Sequence, residues 1–229
     1  MSKTVSRKKS PARQSTLKTD RKAQARRVVS ALAGLYPEAR CSLNYSSPYQ
    51  LLVATILSAQ CTDVRVNLVT PAFFFRYANP RSLAQAMQRD VEQLIQSTGF
   101  FRNKAKNLIA CAKALVENHG GQVPRTLEEL VPLPGVGRKT ANVVLGNAFG
   151  VPGMVVDTHV TRLSKRLGLT DHEQPEKIER DLMDITPAEE WVTLGHRLIA
   201  HGRQVCTAQR PKCQACSLAR FCPRVGVDL

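Results

Sequence analysis

Leu133-Pro134-Gly135-Val136-Gly137-Arg138-Lys139-Thr140 decides how this chain is read, because two glycines two residues apart stand between two helical segments. Upstream, Thr126-x-x-Glu129 is a capping box, in which the Thr and Glu side chains each satisfy an orphan backbone amide at a helix start. Downstream, Ala141, Val143, Val144 and Leu145 mark an apolar helix. Glycines at a helix start let the backbone turn sharply and approach another chain, so the free amides, with the helix dipole behind them, can hold a phosphate. A lone Gly-x-Gly is equally a tight connection between packed helices.

Outward from this stretch, i, i+3, i+4 spacings recur while strand-like alternation rarely persists, so the fold class is all-α. A first helix is predicted over Thr19–Leu35, ending at Tyr36-Pro37, where the residue before proline is pushed out of the helical region. Ser46-Ser47-Pro48 supplies a cap and a first-turn proline for YQLLVATILSAQ, whose apolar run predicts a central helix. Short helices follow over Asp63–Tyr77, Ser82–Gln88 and Val91–Thr98, the last closed by Gly99. Asn103–Asn118 ends at His119-Gly120-Gly121. A second capping box, Thr186-x-x-Glu189, is expected to open a helix that puts Trp191, Leu194 and Leu198 on one face.

The 229 residues are 43% apolar, ample for a core. No apolar stretch approaches the roughly 20 residues that cross a bilayer, and the N-terminus lacks the apolar stretch of a secretory signal. A cytoplasmic protein with no membrane partner is expected. The net charge of +15 points to a polyanion, but residues 1–27 hold ten Lys or Arg against the single Asp20. Residues 1–21 read as a basic, flexible tail, able to touch phosphates without sequence preference or simply to solubilise the chain.

Lys139 follows at the mouth of the glycine hairpin, where partial burial and the positive helix end would both disfavour its charged form. A lysine so depressed becomes an amine nucleophile; ordinary phosphate contact is the other reading. In Val155-Val156-Asp157-Thr158-His159-Val160-Thr161-Arg162-Leu163, the residues Val160, Leu163 and Leu167 make an amphipathic helix with Asp157 at or beside its N-cap. Capping alone accounts for Asp157, yet an anion pinned there is also placed to stabilise positive charge developing on a sugar. Cys206-x6-Cys213-x2-Cys216-x5-Cys222 puts four thiols in one short run, a metal pattern rather than a disulfide one in a reducing compartment. Zinc usually takes two close knuckles, whereas one close pair with two single ligands suits wrapping around an iron-sulfur cubane. Cys41, Cys61 and Cys111 read as buried thiols without chemistry.

LPGVGRKTANVV, followed eighteen residues after Lys139 by the Asp of VDTHVTRLSKRLGL, resembles the endonuclease III branch of the helix-hairpin-helix DNA glycosylase superfamily, and the likeness spans about residues 22–223. The four cysteines match that branch at every interval. The resemblance implies a Schiff-base role for Lys139, a catalytic carboxylate in Asp157 and a 4Fe-4S cluster on Cys206, Cys213, Cys216 and Cys222. It also implies DNA contacts from Gly135, Val136, Gly137, Thr140 and His159, with the hairpin gripping backbone without reading bases. Arg210 and Lys212, in the loop between the first two cysteines, would form a basic finger against phosphate. Gln60 resembles the glutamine that fills the gap left by an extruded nucleotide, and Phe100 stands at the wedge position, where many relatives carry an aliphatic residue.

The implied architecture is two helical domains with a DNA-binding cleft between them. One is a six-helix barrel of residues 41–151 that carries the helix-hairpin-helix; the other combines 22–40 with 152–229 and holds the cluster. The implied activity is that of a bifunctional glycosylase and abasic-site lyase, acting as a monomer on double-stranded DNA that contains oxidised pyrimidines or abasic sites. The rivals are a monofunctional mismatch glycosylase of the same superfamily, which generally lacks a lysine at position 139, and a non-enzymatic DNA-binding module with a structural metal.

Overall fold

The structure is a computed structural model and describes residues 11–227; the first ten residues of the expected basic tail lie outside them. Every regular element among the described residues is helical, as expected. None of these helices is long and apolar enough to cross a membrane. The chain divides into two compact units, one of Arg40–Val155 and one that joins the chain up to Ala39 to the chain from Val156.

Helix α1 spans Pro11–Leu35, starting well before the expected Thr19. No proline or glycine interrupts residues 12–33, and Pro11 in the first turn costs no intrahelical hydrogen bond, so the basic segment from Pro11 propagates as helix instead of fraying into a tail. Gln24 anchors α1 by donating from Nε2 to the carbonyls of Leu167 and Phe221, both at 3.0 Å.

In the Arg40–Val155 unit, Ser47 caps α2 (Pro48–Leu57) by accepting the Gln50 amide, and every residue of α2 from Leu51 to Leu57 is buried. Next come α3 (Asp63–Arg76), α4 (Pro80–Ala84) and α5 (Gln88–Ile95), which continues into a 3-10 turn over Gln96–Thr98. Helix α4 begins earlier than Ser82: Asn79 and Ser82 form a reciprocal capping box with Pro80 at the first helical position, which overrides the serine as a start. Helix α6 (Phe101–His119) ends at Gly120 in the left-handed conformation, and α7 (Leu127–Leu130) and α8 (Arg138–Phe149) flank the glycine hairpin. Helix α2 packs on α8, and α4 and α5 pack on α6. Leu51, Leu52, Phe73, Leu108, Leu115 and Val144 are almost wholly excluded from solvent, each large side chain contributing roughly 1.5–3 kcal/mol of burial free energy. Cys111 lies in this core, where burial pushes its thiol up to about 12, while Cys41 and Cys61 are only half-buried.

The second unit packs α1 against α10 (Pro175–Ile185) and α11 (Trp191–Gln204), and α9 (Thr158–Arg166) against the same two helices. The Thr186 capping box does not form. Thr186 is buried at the end of α10, its hydroxyl donating back to the Leu182 carbonyl and its own carbonyl accepting Trp191 Nε1 at 3.1 Å. A buried threonine bonds the nearest carbonyl of the preceding turn, and the following Pro187 takes the N-cap position of the next turn without a side-chain cap.

Candidate active site and cysteine centre

The hairpin is built from local bonds. The Leu133 amide donates to the Leu130 carbonyl at 3.1 Å and the Val136 amide to Leu133 at 3.0 Å, which closes a tight turn after α7. Gly135 sits at φ +80, and a Cβ there would come within 3.0 Å of Asn107 Cβ, so both backbone and packing demand glycine. Gly137 differs: its φ is ordinary, and a Cβ would meet nothing within 4 Å. What its hydrogen side chain provides is open space before the first turn of α8. Val136 between them is buried with its amide already committed to Leu133, so its side chain locks the hairpin into the core and is not presented outward.

Helix α8 carries no side-chain cap, and its first backbone bond runs from the Ala141 amide to the Gly137 carbonyl. The amides of the preceding first turn therefore lack intrahelical partners, and the helix dipole gives this end a positive potential. Lys139 lies in that first turn and is exposed, rather than partly buried as the sequence suggests. The apolar face of α8 is carried by Ala141, Val144 and Leu145, and the helical period turns position 139 away from it. Thr140 is half-buried beside it. The expected capping box at Thr126 forms in part: its hydroxyl oxygen accepts the Glu129 amide at 3.3 Å, but the Glu129 carboxylate accepts the Thr126 hydroxyl at 2.6 Å.

In the other unit, Asp157 is the N-cap of α9, its Oδ1 accepting the Val160 amide at 2.8 Å. His159 lies against Arg162, Nδ1 to Nη2 3.1 Å. Burial, joined by the charges of Arg162 and Arg203, holds the imidazole below the ordinary histidine range, with Asp157 pulling the other way.

All four cysteines of the C-terminal run line a single cavity with Leu163 and Leu218 among its apolar walls. Burial pushes the Cys216 and Cys222 thiols up, and the neighbouring cysteines add to the rise, a cost that a bound metal's positive charge would offset. Arg166 Nη1 reaches Cys206 Sγ at 3.4 Å and donates to the Thr207 carbonyl at 2.7 Å. His201 Nε2 lies 3.5 Å from Cys216 Sγ, and its Nδ1 lies 3.0 Å from the Tyr36 hydroxyl. A ligand thiolate can only accept, so Nε2 carries the proton and Tyr36 donates to Nδ1. Arg210 and Lys212 are exposed on the loop between the first two cysteines. Gln60 and Phe100 are exposed in two separate turns of the Arg40–Val155 unit.

Residues 53–188 match the HhH-GPD superfamily of base excision DNA repair proteins, and residues 206–222 match the iron-sulfur binding domain of endonuclease III. Endonuclease III of Synechocystis sp. is 55% identical over 89% of this chain and 93% of its own length. That of Escherichia coli K12 is 39% identical over 88% of this chain and 95% of its own. The chain belongs to the endonuclease III family. A solved structure of a trapped covalent intermediate of endonuclease III with DNA is 45% identical, with a TM-score of 0.85 over 89% of this chain and 96% of that one.

As an endonuclease III family member, the chain is a base excision repair enzyme with DNA glycosylase and lyase chemistry, and it carries a 4Fe-4S cluster. Two cluster-supporting residues escape a reading of the family pattern. Arg162 donates to the Cys206 carbonyl from Nε at 3.2 Å and from Nη2 at 3.0 Å, and Arg166 reaches Cys206 Sγ and the Thr207 carbonyl from Nη1. Their i, i+4 spacing on α9, beside the buried stripe of Val160 and Leu163, is the one signal in the sequence that they share a face.

Proposed function

We propose that this chain removes oxidised pyrimidines from double-stranded DNA and then cleaves the strand at the abasic sugar, with Lys139 as the nucleophile and Asp157 as the catalytic carboxylate. The observation that carries the reading is the uncapped start of α8 with an exposed lysine in its first turn. Backbone amides there would hold a DNA phosphate through Gly135, Gly137 and Thr140, and the same grip would deliver the adjacent sugar to the Lys139 amine.

The chemistry proceeds in two stages. Asp157 accepts a proton from the Lys139 ammonium and its charge stabilises the oxocarbenium-like sugar. The Nζ–C1′ bond forms as the glycosidic bond breaks, and the damaged base leaves with the bonding pair and is protonated. Ring opening gives an imine, which acidifies the C2′ protons. Loss of one of them expels the 3′ phosphate by β-elimination, and hydrolysis of the imine returns the free lysine. Gln60 and Phe100 would fill the vacancy in the stack, whose opening costs a few kcal/mol and least where damage has already weakened pairing. Cys206, Cys213, Cys216 and Cys222 would hold the cluster, and the loop between the first two of them would present Arg210 and Lys212 to phosphate. Every residue named comes from one chain, so the reading needs no second copy. The DNA substrate places the protein where the chromosome is.

Borohydride trapping on duplex DNA containing thymine glycol tests the proposal. The native chain should give a covalent adduct, and Lys139→Ala should give none and lose strand cleavage on the order of 10⁴-fold. An adduct or intact strand scission in Lys139→Ala would overturn it. A mismatch glycosylase or a non-enzymatic binding module would yield no adduct with the native chain.

A further inference from the structure

Lys104, in the first turn of α6, is only 5% exposed, a rare state for a lysine. Its Nζ donates to the carbonyls of Leu57 and Thr98, both at 2.8 Å. Leu57 is the last residue of α2, where helix carbonyls lack intrahelical partners and carry the negative end of the dipole. Three residues further on stands Gln60. Thr98 closes the 3-10 turn after α5, and two residues further on stands Phe100.

Both of those residues adopt the left-handed backbone conformation, Gln60 at φ 52 and Phe100 at φ 47. For residues with a Cβ this costs roughly 1–2 kcal/mol each and persists only where surrounding contacts over-determine the turn. Each turn has short-range ties of its own, such as the Cys61 amide to the Ser58 carbonyl at 3.1 Å and the Thr98 hydroxyl to the Ile95 carbonyl at 2.8 Å. Lys104 alone among the described residues is seen bonding the approaches to both turns. Burial lowers the pKa of this amine, but a neutral amine keeps two protons, enough for two carbonyls.

We propose that Lys104 is a positioning residue, a buried clamp that holds the Gln60 turn and the Phe100 turn at a fixed separation so that the two side chains enter the duplex together. The proposal rests on the reading of Gln60 and Phe100 as the residues that fill the gap behind an extruded nucleotide. A clamp of this kind acts on base extrusion and leaves the imine chemistry of Lys139 to itself.

The test compares two substrates with the full-length, cluster-loaded enzyme. On a thymine glycol duplex, Lys104→Met should lower kcat/KM by about 10- to 100-fold. On a single-stranded oligonucleotide with an abasic site, where no base is extruded and no gap is filled, cleavage should change by less than about 3-fold. In a Gln60→Ala/Phe100→Ala background the same substitution should cost nothing further on the duplex, because its effect runs through those two side chains. Equal losses on both substrates, no loss on the duplex, or full additivity in that background would each overturn the clamp. Should Lys104→Met not fold, Lys104→Gln, which retains a donor, is measured in the same way. A chain that folds with neither makes Lys104 a core support and ends the proposal. A native enzyme that leaves thymine glycol duplex uncut would instead defeat the functional reading on which the clamp depends.

Discussion

The first turn of α8 has no side-chain cap, presenting Gly137 and an exposed Lys139, whereas α9 begins under its own carboxylate, with Asp157 accepting the Val160 amide at 2.8 Å. Every helix start leaves backbone amides without intrahelical partners, and the two helices answer that need differently. Helix α9 carries its anion within the chain; helix α8 has no such side-chain cap. On the proposed reading, the contrast separates a group that must stay fixed, the Asp157 carboxylate, from one that must come and go, a DNA phosphate. On the same reading, the exposure of Lys139 suits a nucleophile whose target would arrive with that phosphate.

The strongest way to break the contrast is to take the charge from α9 while leaving its cap. Asparagine caps as well as aspartate, so Asp157→Asn should melt at nearly the native temperature while single-turnover base release falls roughly 10²- to 10³-fold. Unchanged turnover would reduce Asp157 to a cap. Next, α8 can be given an internal anion. An added Cβ at Gly137 meets nothing within 4 Å, so Gly137→Asp should fold, gain a few tenths of a kcal/mol from the new cap, and bind duplex DNA about tenfold more weakly in a salt-controlled titration. Tighter binding would show that the α8 start holds no phosphate.

A smaller effect is expected where the hairpin itself is strained. Gly135→Ala meets both a φ of +80 and the Asn107 Cβ at 3.0 Å, and denaturant unfolding should show a loss of about 1–2 kcal/mol. The smallest concerns the closed start of α9. Burial holds His159 below its ordinary pKa of 6.5, and the same cause acts on His196 in α11. The folded chain therefore binds fewer protons than the unfolded one in acid. The stability that these histidines contribute is complete above 6.5 and is lost as pH falls through their folded values, so the melting temperature should drop across that window. Asp157 raises the His159 value, so NMR titration of Asp157→Asn should find it lower still.

Residues that act on their immediate neighbours were legible in the sequence. Ser47 before Pro48, Asp157 before Thr158 and Gly120 after His119 each end or begin a helix where cap chemistry predicts. The capping pattern misleads at Thr186, because burial against α10 turns its hydroxyl onto the Leu182 carbonyl. It also misplaces α4, where Asn79 and Pro80 outrank the serine as a start signal. The cysteine intervals by themselves point to a metal and suit a cluster, since the ligands lie close enough in sequence for spacing to constrain geometry.

The amino-acid order thus determined the all-helical class, the hairpin with Lys139 after it, the cap at Asp157 and the four-cysteine run, all set by interactions within a few residues. Tertiary structure alone decided that Lys139 is exposed and that Arg162 and Arg166 brace the cysteine loop some forty residues away in sequence. It decided, too, that Lys104 joins the ends of two separate turns. Burial and long-range hydrogen bonds depend on which surfaces meet when helices pack, and a local pattern of residue types carries no record of that meeting.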